Sequence, residues 1–138
     1  MGKGSVQYAA LPWRMTDGGL EILLITSSSG RWIIPKGWPM DGKAPHEAAA
    51  QEAWEEAGVR GEAEPRSVGA FHTDKVRKEG RVRRLEVQVF PLAVTQEAER
   101  WPEANLRQRR WTRQAQAAAL VGEPELAALL ARWSPPAG

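Results

Sequence analysis

The chain has 138 residues, of which 26% are charged and 42% hydrophobic, with a formal net charge of +2 and no cysteine. This length suits a single domain that spans residues 1–138, and the lack of cysteine excludes disulfide bonds, a thiol nucleophile and a cysteine-based zinc site. We expect the two ends, 1–4 and 134–138, to be flexible.

No hydrophobic run approaches the roughly 20 residues that a membrane-spanning helix needs. The first residues also lack the charged start and apolar segment of a signal peptide. We therefore expect a soluble, cytoplasmic protein without a membrane partner.

The first quarter of the chain predicts three strands, at 6–14, 21–27 and 31–34. The second of them is a nearly continuous apolar run, which is typical of a strand buried on both faces. Pro35 ends the third strand and leads into a loop that contains Gly37.

An acidic helix follows this loop, because Pro45 suits a first helical position and Gly58 lies where a left-handed C-terminal cap is expected. Glu52, Glu55 and Glu56 fall at i, i+3 and i+4 and so share one helical face. Repulsion between these like charges destabilises the helix, and the C-terminal half of a helix disfavours anions further. Since hard divalent cations prefer carboxylate oxygens, the cluster favours a Mg²⁺ site over an ordinary solvated surface, with Mn²⁺ as the substitute ion.

The rest of the chain predicts a polar connection at 60–65, strands at 67–74, 84–95 and 109–112, a polar loop at 96–108, and helical segments at 114–121 and 124–133. Pro91 within the second of these strands indicates an edge position or a β-bulge. Strands around one central helix, closed by C-terminal helices, predict an α+β fold, an α/β/α sandwich with a mixed β-sheet.

The spacing from Gly37 to Val59 is similar to the signature of the Nudix hydrolases, G-x5-E-x7-R-E-U-x-E-E-x-G-U, in which U is aliphatic. The matching positions are Gly37, Glu52, Glu55, Glu56, Gly58 and Val59. The resemblance implies a Nudix-type fold and a metal-dependent hydrolase in which Glu55 and Glu56 bind Mg²⁺ with the Gly37 carbonyl. Glu52 would complete the metal shell or position the attacking water.

Two residues differ from the signature at positions where the family has an ion pair. Lys43 stands where the family has Glu, and Gln51 where it has Arg. The family pair is generally interpreted as an ion pair that holds the loop against the helix. Because both charges are lost together, we predict that Lys43 and Gln51 are partners in a replaced brace, and that the enzyme remains active.

Outside the signature, the chain resembles the diphosphoinositol polyphosphate phosphohydrolases and the bacterial proteins similar to them. Three stretches carry this resemblance, at 27–37, 55–61 and 107–111. The resemblance implies cleavage of a diphosphate linkage in a dense polyanion, either a diphosphoinositol polyphosphate or a diadenosine polyphosphate.

Cationic side chains gather around the expected site and favour a small polyanionic, phosphorylated partner. Two of them flank the glycine loop, several lie in a basic hairpin over 75–84, and others follow the polar loop. An Arg guanidinium can donate two parallel hydrogen bonds to a phosphate, whereas a Lys ammonium attracts it as a single point charge. The predicted substrate-binding residues are Ser28, Ser29, Arg31, Lys36, Lys75, Arg77, Lys78, Arg107 and Arg109.

Two other functions stay open. A non-catalytic Nudix-fold sensor would bind a phosphorylated ligand without cleaving it, although a sensor has no need of a crowded carboxylate face. An RNA 5′-end pyrophosphohydrolase would use the basic hairpin on the RNA backbone, but nucleic acid is the less favoured partner because this hairpin lacks interleaved aromatic residues. The general base also stays open, with Glu97, Glu99 and Glu103 of the polar loop as candidates besides Glu52.

Overall fold

The computed structural model describes residues 5–76 and 79–136. Arg77 and Lys78, two of the predicted substrate-binding residues, lie outside the described residues, as do 1–4 and the last two residues of the chain. Within the described ranges, no helix is long and apolar enough to cross a membrane.

The described residues form eight strands and three helices. The strands are β1 Val6–Thr16, β2 Gly19–Thr26, β3 Trp32–Ile33, β4 Lys36–Gly37, β5 Val59–Ala63, β6 Gly69–Val76, β7 Val82–Glu97 and β8 Arg109–Arg113. The helices are α1 Pro45–Ala57, α2 Gln114–Leu120 and α3 Pro124–Arg132.

The strands form one mixed sheet with β1 and β7 at its centre. These two strands are parallel, whereas the other described pairs are antiparallel. β1 also pairs with β2 and β4, β7 pairs with β5 and β6, and β2 pairs with β3 and β8. The pairing of Gly37 with Tyr8 of β1 fixes the glycine loop to the sheet immediately before α1.

Apolar residues are buried on both faces of the sheet. Ile22 and Leu24 belong to the cluster that contains the leucines of α3, whereas Leu23 and Ile25 belong to the cluster under α1. All four are fully buried, as the apolar run at 21–27 predicted. Burying one such side chain stabilises the fold by roughly 1.5–3 kcal/mol. The predicted α/β/α sandwich with a mixed sheet is therefore confirmed.

The bounds of α1 follow from local signals. Pro45 occupies the start of the helix, and the Glu47 carboxylate accepts a hydrogen bond from the backbone N–H of Ala44 at 2.8 Å. Gly58 ends the helix in the left-handed conformation, with φ of 70°. Ala53, the small residue at an aliphatic position of the signature, is fully buried and lets the helix lie close to the sheet.

Two predictions about the sheet are wrong. Most of the segment 60–65, predicted as a connection, belongs to β5, whose three middle residues are exposed and so give no alternating pattern. Pro91 lies beside Leu11 in the central strand β7, and its carbonyl accepts from the Glu64 N–H at 2.9 Å. The backbone N and O of one strand residue point to the same side of the strand. The side of Pro91 that lacks an N–H therefore faces the gap between β5 and β6, where no strand hydrogen bond is lost.

Candidate active site

A polar cavity of about 400 Å³ lies where β4, α1 and the end of the polar loop meet. We call it the central cavity. It brings together the predicted residues Ser28, Lys36, Gly37, Glu52, Glu56, Lys75 and Arg107. Its other lining residues are Gln7, Ser27, Ile33 and Trp38.

Gly37 allows the close approach of Glu52 to the loop backbone. A Cβ atom at Gly37 would lie 2.0 Å from Oε2 of Glu52. Any side chain at this position would therefore displace the Glu52 carboxylate.

Glu56 is a buried carboxylate at the wall of the central cavity, with 6% of its surface exposed. Its Oε1 accepts from the Lys36 backbone N–H at 3.3 Å and lies 3.7 Å from Nη2 of Arg107. Burial, and then the neighbouring Glu52, raises the pKa of Glu56 to about 8. Burial also raises the pKa of Glu52, with a further contribution from the charge of Glu55. The Glu52–Glu56 pair therefore retains a proton at neutral pH.

Lys36 is the first cation of the central cavity. Its Nζ donates a hydrogen bond to Oε1 of Gln7 at 3.0 Å. Burial lowers the pKa of Lys36, and the charge of Glu56 opposes that effect. Gln7 is only 4% exposed and was not predicted, although a polar residue within an otherwise apolar strand is a signal that the sequence contains.

Arg107 is the second cation, and its guanidinium is held by two further contacts. Its Nε donates to Oε1 of Glu103 and its Nη1 to the carbonyl of Thr26, both at 2.9 Å. Glu103 is fixed in turn, because its backbone N–H donates to the Glu55 carbonyl at 3.0 Å. Arg107 therefore presents a fixed positive charge beside Glu56.

The third predicted carboxylate, Glu55, does not line the central cavity. Its Oε2 accepts a hydrogen bond from Nε2 of Gln51 at 2.7 Å, one helical turn away. Lys43 is exposed, and no hydrogen bond joins its side chain to Gln51 in the described part of the chain. The predicted Lys43–Gln51 brace is therefore wrong, because Gln51 has a nearer partner on its own helix.

The donor set fits a hard divalent cation that shares its coordination with a substrate. Within 5–76 and 79–136, no three His, Asp or Glu side chains converge on one point that could hold a metal ion. Glu52 and Glu56 nevertheless place carboxylates together beside the backbone of Gly37. Mg²⁺ is typically bound by one or two protein carboxylates plus substrate phosphates, so the pair is sufficient for such a site.

The structure places the predicted residues Lys75, Arg31 and Ser29 differently with respect to the central cavity. Lys75 lines it, and its Nζ lies 5.1 Å from the centre of the Trp38 ring. Arg31 is exposed and lines a neighbouring cavity. Ser29 lines neither of these cavities, and its Oγ lies 3.0 Å from that of Ser27, within the turn.

Arg109 lies outside the central cavity and contacts the end of α1. Its Nη1 donates to the Ala57 carbonyl at 2.9 Å, its Nη2 donates to the Ala98 carbonyl, and its guanidinium stacks 3.9 Å from the Trp101 ring. Trp101 donates from Nε1 to the Glu56 carbonyl at 3.0 Å. We call this group the Arg109 seam. It gives Arg109 a structural position, and the predicted substrate contact finds no support in it.

A second cavity of about 190 Å³ adjoins the first and shares Ser27, Ile33, Lys36 and Lys75 with it. We call it the side cavity. Its further polar residues Thr73, Asp74 and Glu123 were not predicted, because they come together only through the packing of α3 beside β6.

Comparison with known proteins supports the fold and shows the family. A family model described as the NUDIX domain matches residues 7–133. Nudix hydrolase 4 of Arabidopsis thaliana is 40% identical over 94 residues, which are 67% of this chain and 43% of that protein. Diphosphoinositol polyphosphate phosphohydrolase 3-alpha of Mus musculus is 37% identical over 95 residues, which are 66% of this chain and 54% of that protein. The chain thus spans about half the length of these curated relatives.

Among solved structures, a binary complex of the C. elegans Ap4A hydrolase aligns with a TM-score of 0.67 and 20% identity, over 91% of this chain and 92% of that chain. An alignment at this identity supports the fold. The family model extends from Gln7 to Trp133 and includes every residue that lines the two cavities. The chain therefore belongs to the Nudix family, as the spacing of its acidic helix indicated.

Proposed function

We propose that this chain is a Mg²⁺-dependent pyrophosphohydrolase that cleaves a diphosphate linkage in a highly phosphorylated small molecule. The observation that carries the proposal is the central cavity, which places the buried Glu56 and the half-buried Glu52 beside the cations Lys36 and Arg107. The names of its relatives, a diphosphoinositol polyphosphate phosphohydrolase and an Ap4A hydrolase, agree with such a substrate.

Glu52 and Glu56 would hold the metal ion, with Glu55 and the Gly37 carbonyl as further predicted ligands. A bound divalent cation supplies charge neutralisation on the diphosphate and lowers the pKa of water. Because ligating carboxylates must be ionised, the proton retained by Glu52 and Glu56 has to leave before both can bind. Metal affinity should therefore increase as the pH rises toward about 8, the pKa of Glu56.

Lys36 and Arg107 would bind the phosphate oxygens. The contacts of Arg107 with Glu103 and Thr26 fix its position before substrate arrives, so little side-chain entropy is lost on binding. Lys36 is partly buried, and an incoming phosphate would stabilise its charged form. These two cations orient the diphosphate toward the carboxylate pair.

Chromatographic analysis of the cleavage products formed with Mg²⁺ from a diphosphoinositol polyphosphate, a diadenosine polyphosphate and a nucleoside triphosphate tests the proposal. Glu52→Gln should lower kcat by on the order of 100-fold, because it removes a charge at the reacting centre. Glu62→Gln is the matched control, since Glu62 is exposed on β5 and should leave turnover unchanged. Near-normal turnover of Glu52→Gln would contradict the assignment.

One observation favours a second function, that of a non-catalytic sensor. Glu55 is held by Gln51, so that only two of the three predicted carboxylates border the central cavity in the described structure. A sensor would bind these phosphorylated compounds at equilibrium and cleave none of them. Equal amounts of intact ligand before and after prolonged incubation with Mg²⁺ would establish this alternative.

A further inference from the structure

The loop over 98–109 is attached to the C-terminal end of α1. The last carbonyl groups of a helix have no partner within the helix itself. Here the four successive carbonyls of residues 55–58 accept hydrogen bonds from the loop. The donors are the backbone N–H groups of Glu103 and Ala98, Nε1 of Trp101 and Nη1 of Arg109. The end of the helix that carries the carboxylates therefore fixes the loop that carries Arg107.

Glu103 connects α1 to Arg107 through its backbone and its side chain. Its N–H donates to the Glu55 carbonyl at 3.0 Å, and its own carbonyl accepts from the backbone N–H of Arg107 at 3.1 Å. Its Oε1 accepts from Nε of the same arginine at 2.9 Å. One residue that is attached to the helix thus holds both the backbone and the guanidinium of Arg107.

These contacts decide which nitrogen of Arg107 faces the carboxylates. Nε is engaged by Glu103, and Nη1 by the carbonyl of Thr26. Because the guanidinium is planar and rigid, two engaged nitrogens fix the direction of the third. Nη2 lies 3.7 Å from Oε1 of Glu56, beside the central cavity that both residues line. Without the Glu103 carboxylate, the guanidinium would rotate about a single anchor.

We infer that Glu103 is a positioning residue that holds Arg107 for phosphate binding, and that it is not the general base. The inference rests on the proposed function, in which Arg107 binds phosphate oxygens. Glu103 is not among the described residues that line the central cavity. Its charge acts on Glu52 in the cavity wall, and a negative charge at this place repels phosphate. The hydrogen bond and the charge of Glu103 therefore affect phosphate binding with opposite signs.

Calorimetric binding of tripolyphosphate, in a chelator that removes metal ions, tests the inference through these signs. Glu103→Gln removes the charge and keeps an oxygen that accepts from Arg107, whereas Glu103→Ala removes both. The Gln variant should bind as well as the unchanged chain or better. The Ala variant should bind about tenfold more weakly than the Gln variant, the loss expected for a hydrogen bond to a charged group. Glu62→Ala, an exposed change on β5, should leave the affinity unchanged.

Two further measurements separate positioning from other roles. In an Arg107→Met chain, Glu103→Ala should weaken binding no further, because the side chain that it positions is absent. In turnover with Mg²⁺, Glu103→Ala should raise KM, and Glu103→Gln should restore it.

Three results would overturn the inference: equal affinities of the Gln and Ala variants, the same weakening in the Arg107→Met chain, or a large loss of kcat in both Glu103 variants. The last result would make Glu103 a catalytic residue. Because the binding measurements need neither metal ion nor cleavage, a chain that cleaves no diphosphate would contradict the proposed function and still decide this inference.

Discussion

Two regions beside the C-terminal half of α1 bury charged groups in opposite ways. In the Arg109 seam, the guanidinium donates to two backbone carbonyls and stacks on Trp101. In the central cavity, Glu56 shares a hydrogen bond with the Glu52 carboxyl and otherwise contacts a backbone N–H at 3.3 Å and a guanidinium at 3.7 Å. Both distances exceed those of a strong charge-assisted hydrogen bond, so the ionised form of Glu56 is compensated only in part.

The difference separates groups that stabilise the fold from groups that serve the site. A buried charge with hydrogen-bond partners can contribute to the stability of the fold, whereas a buried charge without them lowers that stability. Proteins retain the second kind at sites where binding of a ligand compensates the charge. The two regions should therefore respond to mutation with opposite patterns, and four predictions test that contrast.

The largest effect should come from Glu56→Gln. This change should lower kcat by on the order of 100- to 1,000-fold, because the proposed function places the ionised Glu56 carboxylate at the reacting centre. Phosphate release and far-UV circular dichroism of the same sample measure activity and fold. An active variant, or one that fails to fold, would erase the contrast between the two regions.

Arg109→Ala should show the reverse pattern. Two carbonyls and a tryptophan lose their partner, so the free energy of unfolding should fall by about 2–4 kcal/mol. Arg110→Ala is the matched control, because Arg110 is exposed on the same strand and should cost less than about 0.5 kcal/mol. Urea denaturation gives both values. A stable Arg109→Ala protein with a raised KM would restore the substrate contact predicted from the sequence.

The stability of the metal-free protein should fall as the pH rises from 4.5, the ordinary pKa of Glu, to about 8. Over this window the unfolded chain loses the Glu56 proton while the folded chain retains it, so ionisation favours unfolding. The slope can reach about 1.4 kcal/mol per pH unit. Urea midpoints at several pH values in a chelator measure it, and Glu56→Gln should flatten the profile. A slope that persists in this variant would assign the titration to another group.

The smallest effect concerns Gln51, whose hydrogen bond keeps Glu55 away from the central cavity. A double-mutant cycle should give a coupling of about 0.2–0.5 kcal/mol between Gln51 and Glu55, as for other helical neighbours. The cycle for Lys43 and Gln51 should give none. Substantial coupling in the second cycle would bring back the brace that the structure contradicts.

The parts of the fold that local signals determine could be predicted from the sequence. Pro45 and Gly58 bound α1 as expected, and the spacing of Glu52 and Glu56 placed both on one wall of the central cavity. The apolar run over 22–25 correctly predicted side chains buried on both faces of the sheet. Each of these features depends on periodicity or on residues a few positions apart.

The contacts that depend on distant segments could not be predicted. Arg107 and Arg109 lie two residues apart in one basic stretch, and only the packing of the loop against α1 and β2 gives them different partners. Glu56 differs from Glu55 because the backbone of Lys36, 20 residues earlier, covers it. Glu123, the residue before α3, lies 50 residues beyond its partner Thr73 in the side cavity.

Pro91 has a consequence for motion. The ladder between β6 and β7 ends at Gly69 and Val89, and Pro91, two residues further on, has no N–H to extend it, so we expect β6 to open more readily than β5 and the parallel β1 ladder. Thr73 and Lys75 belong to β6, whereas Glu52 and Glu56 belong to the packed helix. Amide protons of β6 should therefore exchange with solvent faster than those of β1, and a ligand in the side cavity should slow them. We therefore expect the wall of the site that α1 forms to be more rigid than the wall that β6 forms.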